Sequence, residues 1–138
     1  MDFNINVLAG LVAGVAAMVP GAVIYAPGVL GRRWMKEIGI NEKKVKEAGG
    51  SPTKAVSQMF VVSLINGLVA SLIVTTIHAT KIMEAVDVAL LLGWFWVSAN
   101  LMLVFFEGRS WMWLKITALA HVLTALVIGL VLGLFLVN

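Results

Sequence analysis

Four long apolar runs, separated by short polar stretches, divide the chain at about 5–25, 56–78, 85–106 and 113–137. Each reaches the roughly 20 residues that a helix needs to cross the hydrocarbon core of a bilayer. None alternates apolar and polar residues with the period of two that a membrane barrel strand would show. Lipid-facing irregular backbone is too costly at that depth, so the pattern predicts an all-α polytopic bundle of four transmembrane helices. The whole of 1–138 forms one transmembrane domain, with a basic connection over 28–55.

Composition agrees. Hydrophobic residues make up 61% of the chain and charged residues 12%, at a mean hydropathy of +1.01, whereas a soluble domain carries about 25% charged residues. The chain has no cysteine, which removes disulfides, thiolate metal sites and cysteine nucleophiles. The first run lacks a preceding basic segment and is longer than a signal-peptide core, so it is expected to stay in the mature protein.

Charge sets the expected orientation. Arg32, Arg33, Lys36, Lys43, Lys44, Lys46 and Lys54 lie in the first connection and Arg109 and Lys115 near the third, so nine of the ten Lys and Arg side chains share one side and only Lys81 takes the other. Basic residues near short loops remain cytoplasmic, which predicts a multi-pass cell-membrane protein with both termini outside. The net charge of +3 then reads as a topology signal and a contact with anionic lipid at the cytosolic face, with no nucleic-acid role. Within the first connection, Asn41 is positioned to cap a short helix through "NEKKVKEA" that Gly49 and Gly50 end. Ser51-Pro52 marks the start of the next helix, already inside the cytosol.

The segment "GRRWMK" from Gly31 recurs as "GRSWMW" from Gly108. Both copies fall at the cytoplasmic end of an odd-numbered helix, bringing Arg32 and Trp34, then Arg109 and Trp111, to the interface. Two explanations are open. Trp and Arg recur at membrane edges by convergence, or a helical hairpin was duplicated to give two parallel repeats about the membrane normal. Under duplication the two hairpins should superpose, and both indole N–H groups should reach polar partners at the interface.

Small residues form stripes at Gly10, Gly14, Ala17 and Gly21, at Ser63, Gly67 and Ser71, and at Gly129 and Gly133. Such spacing lets helix backbones approach closely in lipid. It serves packing within the bundle or a homodimer, and membership as a small subunit of a larger membrane complex is also open.

Polar residues within the runs are expected to face protein or water, since such groups are costly in lipid. Asn66, Asn100 and His121 are expected roughly 9 to 15 Å from the cytoplasmic edge, level with Pro20, with Glu107 nearer the cytosol beside Arg109 or Arg32. Thr117, His121 and Thr124 share one face of the fourth helix by their spacing. The layer is either a set of interhelical hydrogen bonds or a small polar site linked to protons through His121. His78 falls at the outer interface and adds little. Enzyme signatures such as HExxH, a phosphate-binding glycine loop or a nucleophile elbow are absent from the sequence. No catalytic residue, metal ligand or cofactor site is therefore assigned, and the chain reads as a structural or accessory membrane protein, with a small-solute or proton-linked transporter as the alternative and an enzyme as the third reading.

At "IYAPGVLGRRWMKEIGI" and "FFEGRSWMWLKITALAHVL" the chain resembles the family called domain of unknown function 1761, small four-helix membrane proteins. The resemblance rests on Tyr25 and Pro27 at the end of the first helix, on Gly31, Arg32, Trp34 and Met35, on Phe106, Glu107, Gly108 and Arg109, and on His121. It departs at Arg33, where a small or apolar residue is expected, and at Leu119-Ala120, where an aromatic commonly precedes the histidine. The family implies four transmembrane helices and supplies no activity.

Overall fold

The computed structural model describes residues 5–47 and 49–136. These form seven helices, α1 (Val7–Ala16), α2 (Met18–Ile24), α3 (Gly31–Glu37), α4 (Glu42–Glu47), α5 (Pro52–Thr76), α6 (Ile82–Glu107) and α7 (Trp111–Leu136), and no strand among the described residues. Four segments are long and apolar enough to cross a membrane: Val7–Ile24, Thr53–Thr76, Ile82–Glu107 and Trp111–Leu136. They match the four expected runs, with shifted ends. The second helix starts at Pro52, where the Ser51 side chain accepts from Lys54 N–H. It ends at Thr76, and His78, expected inside it, lies beyond with a left-handed φ of 54°. Val137, the last residue of the fourth run, lies outside the described residues.

The first span is two helices because of Pro20. Proline lacks the N–H that would bond the Ala16 carbonyl, and its ring crowds that turn, so the helix breaks at Ala17 and resumes as α2. The first connection follows its sequence signals. Asn41 Oδ1 accepts from Lys44 N–H to start α4, and Gly49 ends the turn at a φ of 72° while Gly50 N–H donates to Val45 O.

Two hairpins build the bundle: α1 packs on α5 and α6 on α7, and α7 also contacts α1, α2, α3 and α5. Ala9, Ala13, Ala17, Ala70, Val74, Ala85, Ala89, Ile128 and Leu132 form the principal core, drawn from all four spans. Alanine at these positions allows backbones to come close. A Cβ on Gly67 would sit 2.2 Å from Gly10 O, and one on Gly129 would sit 2.6 Å from Val86 Cα. Across the α1–α5 contact, Ser63 Oγ donates to Gly14 O at 2.7 Å and Ser71 Oγ to Asn6 O at 2.8 Å. The expected stripes thus meet within the chain, except that nothing lies within 4 Å of a Cβ placed on Gly21. At the end carrying the basic loops, hereafter the basic end, α5 departs from the bundle: every described side chain from Thr53 to Val62 is exposed.

The repeated motif occupies unlike backbone. Gly31 opens α3, where a Cβ would strike the Tyr25 carbonyl oxygen at 2.1 Å, whereas Gly108 ends α6 in the left-handed region at a φ of 67°. The first copy therefore begins a separate short helix and the second begins a transmembrane one. Each glycine answers a different local requirement.

Candidate functional site at the basic end

Capping positions the first elements of the site. Ser110 precedes α7 and its Oγ accepts from Trp113 N–H at 3.0 Å, satisfying one of the donors a helix start leaves free. The same hydroxyl donates to the Glu37 carboxylate across 73 residues of sequence, so the end of α3 is tied to the start of α7. Trp34 fastens the inner face of α3. Its ring meets Tyr25 edge to face at 5.2 Å and packs with Ile24, Ile116 and Ala120 on one side and Val104, Trp113 and Leu114 on the other.

This docking corrects one expectation. The Trp34 indole N–H is buried without a hydrogen-bond partner instead of reaching a polar group, and Trp111 is 57% exposed, its ring edge to face with Phe105 at 6.1 Å. The Thr117 hydroxyl on α7 is buried as well. The Tyr25 phenol is close enough to interact with it, but the pair falls outside hydrogen-bond geometry and Thr117 Oγ1 has no partner. Tyr25, Trp34 and Thr117 thus bring three polar groups into one apolar seam, a convergence the sequence hid because they come from three helices. Pro27, expected beside Tyr25, is exposed in the turn between α2 and α3.

The expected polar layer divides. Trp96 stacks on His121 at 5.8 Å with 26° between the ring planes, and Gly93 faces Ala125 one turn further on. By that register Asn100 lies level with about Thr117, but its amide donates to Trp96 O of its own helix at 2.9 Å. Thr124 is half-buried one turn past His121. Asn66 lies elsewhere. Gly14 meets Leu64 and Gly10 meets Leu68, so Asn66 is opposite the middle of α1, whereas His121 neighbours Ala120, which packs on Ile24. Roughly ten residues of helix, about 15 Å, separate the two levels. One extra turn at the start of α5 accounts for about 5 Å of this, and the rest follows from where α5 meets α1, with Gly67 against Gly10 and Gly14. Glu107 is exposed and pairs with Arg109 Nε at 3.3 Å, not with Arg32; the Arg109 guanidinium also lies 5.8 Å from the Trp113 ring.

Chemically, the arrangement offers one half-buried imidazole under an indole, an amide bound to its own helix, and an unpaired buried hydroxyl. Among the described residues no three His, Asp or Glu side chains are grouped to hold a metal ion. Two shallow openings lie away from His121. One of about 500 Å³ at the opposite end is lined by Asn6, Thr75 and Leu136, and one of about 260 Å³ by Gly49, Ser51 and Gln58. Sequence reasoning missed Ser110 and Glu37, although a serine directly before "WMW" is itself a helix-start signal.

Neither the curated proteins nor the solved structures give a match to this chain. The family model described as "Protein of unknown function (DUF1761)" matches residues 8–133. That span takes in all but the outermost residues of the four long helices, the docked α3, both copies of the Gly-Arg-x-Trp-Met segment and His121, and the chain belongs to this family.

Proposed function

We propose that the protein is a structural or accessory component of the cell membrane, with its basic end in the cytoplasm and both termini outside. The carrying observation is where the polar side chains of its spans direct their bonds. Ser63 and Ser71 donate to α1 carbonyls across a close helix contact, and Asn100, Thr75 and Thr76 donate to carbonyls of their own helices. Groups used in this way join helices or satisfy themselves, and leave little to bind a passing solute. The charge distribution supports the orientation.

A second reading, proton-linked transport, draws on His121. Among the described residues its ring makes no hydrogen bond, and the one aromatic ring against it is that of the half-exposed Trp96. An imidazole without a partner at membrane depth is costly, as a functional group would be. Reconstituted vesicles carrying a pH gradient separate the readings. Under the accessory reading, wild type and His121→Leu dissipate the gradient at the rate of empty vesicles, and the substitution costs under about 1 kcal/mol of stability. Faster dissipation by wild type that disappears in a folded His121→Leu protein would establish transport instead.

A further inference from the structure

Arg32, Arg33 and Lys36 lie on the face of α3 opposite Gly31, Trp34 and Ile38, and all three are exposed. None makes an ion pair or hydrogen bond with any described side chain, unlike Lys43, paired with Glu47, Lys44, bound to Gly39 O, and Arg109, paired with Glu107. The one acid of α3, Glu37, is engaged by Ser110. Trp34 wedges between α2 and the first turns of α7, so the cationic face is held rigidly beside the points where two spans end, at Ile24 and Trp111. A helix is about 10 Å across, which leaves the three charges within one helix diameter of the bilayer boundary.

We propose that this face of α3 is a docking surface for anionic phospholipid headgroups of the leaflet at the basic end. Charge complementarity carries the assignment. Three unpaired cations fixed at a membrane boundary gain from a phosphate-bearing surface what a flexible solvated run would lose to ordering. Arg32 and Lys36, one turn apart, and Arg33 and Lys36, three positions apart, lie close enough to share one phosphate region. The surface depends on the four helices spanning a bilayer and on neither the accessory nor the transport reading, so its test can fail independently of theirs.

The full chain is reconstituted in nanodiscs of equal parts phosphatidylglycerol and phosphatidylcholine, and the lipids retained on release are counted by native mass spectrometry. Wild type should retain phosphatidylglycerol preferentially. Each cation near an anionic surface contributes roughly a fivefold factor, so Arg32→Gln/Arg33→Gln/Lys36→Gln should weaken the preference by about 100-fold. Lys43→Gln/Lys44→Gln/Lys46→Gln, with equal charge loss on α4, should keep most of it. Arg33→Gln alone guards against misfolding of the triple variant and should give a partial loss. The proposal is overturned if wild type shows no preference, if the α4 variant loses as much as the α3 variant, or if Arg33→Gln leaves the preference unchanged.

Discussion

Gly67→Ala tests the α1–α5 contact most directly. The added methyl would lie 2.2 Å from Gly10 O, 2.6 Å from Gly14 N and 2.9 Å from Gly14 Cα. All three are backbone atoms, so no side-chain rotation can relieve the clash, and α1 must move away by about 1 Å to restore ordinary contact. That movement also stretches the bond of Ser63 Oγ to Gly14 O, now 2.7 Å. Overpacking of this kind costs about 1–3 kcal/mol and the lost bond about 0.6 kcal/mol, while replacing glycine by alanine in a helix returns up to about 1 kcal/mol. A net destabilisation of about 0.5–2.5 kcal/mol follows. Gly21→Ala is the control: nothing lies within 4 Å of the new methyl, so only the propensity gain of about 0.5–1 kcal/mol remains. Reversible unfolding in mixed micelles, followed by circular dichroism, should therefore separate the two variants by roughly 1–3.5 kcal/mol. The shared displacement gives a second signature: Ser63→Ala should cost less in the Gly67→Ala background than alone. Equal stability of the two glycine variants, or strict additivity with Ser63→Ala, would refute the close approach.

Two further outcomes are expected. Thr117→Val replaces a buried hydroxyl that has no partner with a group of the same shape; since an unsatisfied buried hydroxyl costs about 1–3 kcal/mol, thermal unfolding should show unchanged or increased stability, and a loss above about 1 kcal/mol would mean that the hydroxyl bonds to Tyr25 after all. For orientation, single cysteines at Thr80 and at Ser51, both exposed at opposite ends of α5, should react with an impermeant thiol reagent on intact cells at Thr80 only; labelling at Ser51 alone would invert the topology.

Local chemistry was enough to place the four spans, the Asn41 and Ser51 caps and the small-residue faces, because run length and capping side chains act within a few residues of themselves; the first run read as one helix, and its division at Pro20 is a feature of the structure. The same locality limited the depth estimate. Helix ends read from the sequence placed Asn66 beside His121, but the level of a residue in a bundle depends on where its helix meets its neighbours, and the approach of Gly67 to Gly10 and Gly14 carries Asn66 about 15 Å away. The repeated Gly-Arg-x-Trp-Met segment shows the limit in another form. Identical letters open a short docked helix in one place and a long apolar helix in the other, since the first is followed by polar loop and the second by apolar run. Tertiary packing alone decided that Tyr25, Trp34 and Thr117 share a seam, that Trp96 covers His121, and that Glu37 meets Ser110. These contacts join residues from different helices, and their geometry follows from how close the glycine and alanine faces allow those helices to come.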